Sequence, residues 1–278
     1  MSDYRTSTIR TPINDDNNLS YSQREELLHN NNKYYLSNQH IREFVSETSG
    51  MFWFILFSLG NIANVVLYPE SNMTWIGVAL SWGFNLMFGI YLANFNSQAH
   101  LNPCVSLCFY LFDKSITFTQ LVIHSLAQLF GAFLAASVVY GIYYDKIVLL
   151  KDDKTATSIF TTYKANDVNT ACAFFTEFLG TGLLVSGIFA IVTNSKTKEH
   201  APVFIGILLS SIVLAFGYQT AFALNPARDL GPRIFTACVG YDSFTYVDHY
   251  WWIPLVADYL GAVVFTYLFH VLIKYQLV

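Results

Sequence analysis

This chain has little charge. Of its 278 residues only 12% are Asp, Glu, Lys or Arg, against 54% hydrophobic and 17% aromatic. That balance excludes an ordinary soluble domain, in which about a quarter of residues are charged, and no nucleic-acid partner is expected. Cysteine is scarcer still. Cys104, Cys108, Cys172 and Cys238 are scattered through apolar segments without framework spacing, which argues against a disulfide scaffold or a zinc site. They read as small packing residues, with a metal role for Cys104 and Cys108 as the weaker alternative; the expectation is no metal and no cofactor. The first forty residues are polar and asparagine-rich and contain no apolar core of a signal peptide, so the first membrane crossing is the expected targeting element. No metal-ligand spacing and no nucleophile–base grouping points to an enzyme.

Long runs almost free of charge are present instead. They lie at Gly50–Leu67, Trp75–Phe95, Phe118–Tyr144, Ala171–Thr193, Ala201–Leu224 and Tyr250–Ile273. A hydrocarbon core of about 30 Å takes roughly 20 helical residues to cross, so six crossings are expected in a lipid bilayer. Pro103–Phe112 and Pro226–Val239 are too short to span. They fit re-entrant half-helices, because irregular backbone at membrane depth must line a cavity or be buried in protein. Arg5, Arg10, Arg24, Lys33 and Arg42 before the first run, and Lys196 and Lys198 after the fourth, place both of those segments in the cytosol by the positive-inside rule. Six crossings then put the C-terminus there too. The link Asp145–Asp167 carries four lysines and four aspartates and falls outside by count. The expected organisation is a disordered cytosolic tail over 1–43 and a channel domain over 44–278, its repeats at about 44–144 and 168–274.

Each short run opens on Asn-Pro: Asn102-Pro103-Cys104 and Asn225-Pro226-Ala227. Proline at the first helical position is well tolerated, since its missing N–H would find no partner there. The preceding asparagine is biased to extended backbone, which frees its carboxamide at the helix end. The partial positive charge of two opposed helix N-termini makes a polar waist that repels cations and passes neutral hydrogen-bonding solutes. Glu47 leads the first run and Glu177 the fourth, each about fifty residues before its Asn-Pro. Three crossings separate the copies, so they are inserted in opposite orientation, the arrangement that brings half-helix ends together at the midplane. An ionisable residue in an apolar span is a functional candidate. Glu47 and Glu177 are expected as buried acceptors that hold the re-entrant loops, against the alternative of an interfacial position.

From about Glu47 to Lys274 the chain resembles the major intrinsic proteins, and among them the aquaglyceroporins. The likeness rests on Ala99-His100-Leu101-Asn102-Pro103, Gly131-Ala132-Phe133, Val139-Tyr140-Gly141 and Phe222-Ala223-Leu224-Asn225-Pro226-Ala227-Arg228-Asp229. The resemblance implies an all-α membrane fold of six tilted helices and two half-helices, one pore per subunit, and a homotetramer. It implies a passive channel for water and small neutral polyols such as glycerol that excludes protons and ions. Carried over by position, Asn102 and Asn225 are the paired asparagines. Trp82, Phe222 and Arg228 form the narrow filter, two aromatic walls for a carbon backbone and a guanidinium for hydroxyls. Asp229 with Arg233, and Pro254-Leu255 in the last span, are the features that separate glycerol channels from strict water channels. Val213 occupies the fifth-span filter position. His100 corresponds to the loop histidine beside the first box, with a structural or gating role or simple packing.

The chain departs from the family pattern at Cys104, where alanine is usual and where a thiol facing the pore would make it reagent-sensitive. Val213 replaces a glycine, and its bulk motivates the rival reading of a water-selective channel. Asp258, Asn61 and Asn64 add polarity to apolar spans, with satisfied packing or subunit contacts as the plain explanation. An ion channel or secondary transporter is the rival from another class, and the spans offer few carboxylates for it. In the leading segment, Tyr21–His29 allows one amphipathic turn and Ser7, Ser20 and Ser22 are phosphorylation candidates, with a solvated tail the commoner case. Asn72-Met73-Thr74 is a glycosylation sequon close to the membrane. The channel is expected in the plasma membrane or an intracellular vesicle or vacuole membrane.

Overall fold

The computed structural model describes residues 36, 38–150 and 153–275; the turn expected at Tyr21–His29 and the serines at 7, 20 and 22 lie outside them. Among the described residues, six helices are long and apolar enough to cross a membrane. The first three are α1 (Gln39–Leu67), α2 (Trp75–Ala93) and, after the half-helix α3 (Pro103–Cys108), α4 (Phe118–Ile142). The second set is α5 (Thr170–Thr193), α6 (Ala201–Phe216), the half-helix α7 (Pro226–Cys238) and α8 (Trp252–Leu268). Each start has a local cause. Asn38 caps α1, Thr74 caps α2 and Asn169 caps α5 through their side-chain oxygens, and Thr117 and Gln120 form a capping box on α4.

Two boundaries differ from the sequence expectation. The first helix begins at Gln39, about three turns before the apolar run and inside the segment assigned to the tail. Arg42, Glu43, Ser46 and Glu47 break the hydropathy, yet all four are buried on the inner face of α1. The fifth helix ends at Phe216, with a tight turn at Gly217–Gln219, although the apolar run continues to Leu224. Residues 221, 222 and 224 there adopt positive φ, so the chain is irregular and buried, which hydropathy alone does not distinguish from a helix.

The halves are built alike. In the first, α1 packs on α2 and α4; in the second, α5 packs on α6 and α8. The halves join where α2 meets α6, at a reciprocal contact of two glycines. A Cβ on Gly83 would lie 2.2 Å from the Gly206 carbonyl oxygen, and one on Gly206 would lie 2.6 Å from that of Gly83, so neither position accepts a side chain. Small residues permit this backbone approach where lipid supplies no hydrophobic drive for helix association. Each half-helix also crosses to the other half, α7 against α4 and α3 against α8. Large apolar side chains such as Phe84, Phe88, Leu126, Phe130 and Ile207 remain exposed on the outer faces, as lipid contact requires.

Candidate functional site

Pro103 and Pro226 start their half-helices, and Asn102 and Asn225 are the N-caps, both in extended conformation. The Asn102 Oδ1 accepts from the Cys104 N–H at 2.9 Å, and the Asn225 Oδ1 accepts from the N–H groups of Ala227 at 3.0 Å and Arg228 at 3.2 Å. The two amide nitrogens cross between halves. Asn102 Nδ2 donates to the Leu224 carbonyl at 2.8 Å and Asn225 Nδ2 to the Leu101 carbonyl at 2.7 Å. An amide carries two donor hydrogens, so each asparagine keeps one beyond the bond that fixes it.

The loops leading into the boxes are strained in matching places. Ala99 and Leu101 have φ of 52° and 49°, and Phe222 and Leu224 have φ of 47° and 50°, in the left-handed region that non-glycine residues avoid. Such conformations persist only when surrounding bonds over-determine them. Glu47 does this in the first half, accepting from the N–H groups of His100 and Leu101, both at 2.9 Å, and from Ser97 Oγ and Gln128 Nε2, both at 2.8 Å. Glu177 accepts from the N–H groups of Ala223 at 3.1 Å and Leu224 at 2.9 Å. Both glutamates are 0% exposed, which places them inside the protein and away from the interface.

One cavity of about 320 Å³ joins these parts; its wall includes Trp82, Asn102, Phe222, Asn225 and Arg228 together with Asn94, Lys198 and Glu199. Trp82 and Phe222 meet edge to face, centroids 4.8 Å apart at 89°. The Arg228 guanidinium carbon sits 4.4 Å from the Trp82 ring centroid and 5.8 Å from that of Phe222, within cation–π range. Its Nη1 donates to the Phe160 carbonyl at 3.4 Å, while its Nε has no acceptor among the described residues. Three of the four residues assigned to the filter, Trp82, Phe222 and Arg228, therefore form a single cluster on the cavity wall.

Asp229 and Arg233 brace that cluster from behind. Arg233 Nε and Nη2 donate to the two Asp229 oxygens at 2.8 and 2.9 Å, the bidentate geometry that suits arginine and carboxylate. Asp229 also accepts from the Thr162 N–H at 2.7 Å and hydroxyl at 2.8 Å, and Arg233 donates to the carbonyls of Thr162 and Ser243. The pair thus fastens residues 159–163, which supply the Phe160 carbonyl to Arg228.

The remaining assigned residues fall into two groups. His100 lines the cavity; its Nδ1 pairs with Ser106 Oγ at 3.0 Å and its Nε2 with Gln98 Oε1 at 3.1 Å, and its ring stacks on Phe109. Val213 and Cys104 are both 0% exposed and neither is on the cavity wall, which α6 builds from Pro202, Ile205 and Leu209. Sequence reading missed Gln128, His124 and Phe160. Gln128 and His124 are large polar side chains in the middle of the mostly apolar α4, and that was the available signal. For Phe160 the signal was an apolar pair, Ile159-Phe160, inside a link read only for its charges.

An inverted pair of three-helix units, with two half-helices meeting cap to cap beside one cavity, defines a membrane channel. The chain belongs to the major intrinsic protein family, whose sequence model matches residues 35–269. It is 36% identical to an aquaglyceroporin of Rhizophagus irregularis over 83% of this chain and 76% of that protein. It is 33% identical to the aquaglyceroporin of Plasmodium berghei over 85% of this chain and 92% of that one. The X-ray structure of the aquaglyceroporin from Plasmodium falciparum superposes with a TM-score of 0.76 at 31% identity, covering 84% of this chain and 98% of that chain.

Proposed function

We propose that the protein is a passive channel for water and small neutral polyols such as glycerol, closed to protons and ions. The observation that carries this reading is the cluster of Trp82, Phe222 and Arg228 on the cavity wall. Two perpendicular rings offer apolar faces to the CH groups of a polyol, and the guanidinium offers fixed donors to its hydroxyls. Beyond the filter, the free amide hydrogens of Asn102 and Asn225 donate to a passing oxygen and turn it, which interrupts a chain of hydrogen-bonded waters. Arg228 and the half-helix N-termini add a positive barrier to cations. Glu47, Glu177 and the Asp229–Arg233 pair hold the loops and touch no solute. No step consumes a reagent, so the reading is a channel without catalysis.

Val213 motivates a water-selective alternative, but it stands off the cavity wall, and its bulk does not narrow the passage there. The proposed assembly is a homotetramer in which each subunit has its own pore. The proposed orientation puts both termini in the cytosol, so the Lys198–Glu199 end of the cavity opens inward. Stopped-flow light scattering of proteoliposomes under water and glycerol gradients tests the solute: glycerol entry faster than in empty liposomes is expected, and water flux without glycerol flux decides for the alternative.

A further inference from the structure

The two halves do not neutralise their buried glutamates in the same way. The register between them is fixed by two glycines. A Cβ on Gly131 of α4 would lie 2.5 Å from the Thr48 carbonyl oxygen, and one on Gly261 of α8 would lie 2.0 Å from that of Phe178. The same spacing that pairs Gly131 with Gly261 pairs Glu47 with Glu177 and Gln128 with Asp258. In the first half the Gln128 amide donates to Glu47 at 2.8 Å. In the second half the corresponding side chain is a carboxyl, one turn before Gly261 on α8, which packs against the helix that carries Glu177 and Thr181.

Asp258 and Glu177 are both 0% exposed. Neither Asp258 oxygen has a hydrogen-bond partner among the described residues, and the buried hydroxyls of Thr181, Thr220 and Tyr250 have none there either. The charges that face the pair come from α7: Arg228 and the mutually paired Asp229 and Arg233. The other titratable neighbours, Cys104 of α3 and Tyr250 and Tyr259 of the last span, are neutral in their ordinary states. Arg228 and Arg233 balance Asp229 and one further carboxylate. A second carboxylate is left uncompensated inside the membrane, where an unpaired charge is expensive and two adjacent carboxylates do not both ionise.

We propose that Glu177 and Asp258 bind one proton between them, and that this shared proton makes Asp258 the neutral donor to Glu177 that Gln128 is to Glu47. The proton resides on an Asp258 oxygen, whose O–H donates to a Glu177 carboxylate oxygen. Glu177 stays an anion and continues to accept the N–H groups of Ala223 and Leu224. Asp258 is a positioning residue: it acts on the second re-entrant loop through Glu177 and does not touch the solute. Titrations of such a pair belong to the pair and not to either member.

Infrared difference spectroscopy of the full-length protein in lipid tests this without reference to which solute passes. At neutral pH, where a solvated carboxyl with a pKa near ~4 is ionised, the wild type should show a carboxylic C=O stretch that shifts down in D2O. Asp258→Asn supplies an amide donor in place of the acid and should remove the band, as should Glu177→Gln. The band should be unchanged when sodium and potassium are replaced by a large organic cation. Absence of the band in the wild type, its persistence in both variants, or its appearance only after the small cations are removed would each overturn the proposal, the last by showing a metal cation in place of the proton.

Discussion

Replacing Glu47 by leucine is the most informative disruption of the loop scaffold. The side chain accepts four hydrogen bonds, from Ser97 Oγ, His100 N, Leu101 N and Gln128 Nε2. Two of these donors have second partners: Ser97 Oγ reaches the Ala93 carbonyl at 3.2 Å and Gln128 Nε2 reaches Ser106 Oγ at 3.2 Å. The two backbone N–H groups have none and would be orphaned in a buried site. Each orphan costs about 1–3 kcal/mol, so the gross loss is about 2–6 kcal/mol. Leucine also removes the cost of burying a charge, and we expect a net loss of about 2 kcal/mol, near the low end of that range. Without those bonds Ala99 and Leu101 leave their positive-φ conformations, the Leu101 carbonyl moves, and Asn225 loses its acceptor across the halves. Thermal unfolding in detergent should fall and solute flux per subunit should collapse in the same variant. Glu47→Gln keeps one accepting oxygen and turns a donor toward the other N–H, so it should lie between leucine and wild type. A Glu47→Leu protein with wild-type unfolding and wild-type flux would refute the assignment of the glutamate as the loop's anchor.

The filter and the cysteine give two further expectations. Arg228→Ala combined with Phe222→Ala removes a wall and the guanidinium from the narrow cluster, and proteoliposomes should then admit larger polyols and leak protons; unchanged solute and proton permeability would contradict the filter assignment. Cys104 is buried off the cavity wall, so a membrane-permeant thiol reagent should leave flux through Cys104→Ala and wild type equally unaffected, and a block abolished by that substitution would show that the thiol reaches the pore.

Much of this architecture was legible because the bilayer imposes strong rules. Spans must be long and apolar, and a short apolar run opening on Asn-Pro has few alternatives to a re-entrant helix. Asn102 and Asn225 could be placed from the two Asn-Pro pairs, Trp82, Phe222 and Arg228 through the family resemblance, and all five line one cavity. What stayed hidden depends on partners distant in sequence. The first three turns of α1 carry Arg42, Glu43 and Glu47, and only their burial against Gln120, His124 and the first loop makes helix the better outcome there. The irregular stretch before Asn225 reads as more helix until Glu177, nearly fifty residues earlier, is seen to accept its N–H groups. Residues 159–163 lie inside a link whose flanks are charged, and their burial follows from Asp229 and Arg233. Val213 and Cys104 sit at the expected sequence positions yet behind the wall, because a one-dimensional offset fixes the turn of a helix and not the distance from its face to the cavity.

Glycerol transport by the purified protein is the most direct test of the central claim. Proteoliposomes placed in a glycerol gradient should shrink and then reswell far faster than protein-free vesicles, while a pH dye trapped inside stays silent and planar bilayers carry no current. Reswelling at the protein-free rate, or a proton or ion current that accompanies it, would contradict a neutral-solute channel built on Trp82, Phe222, Arg228 and the two asparagines.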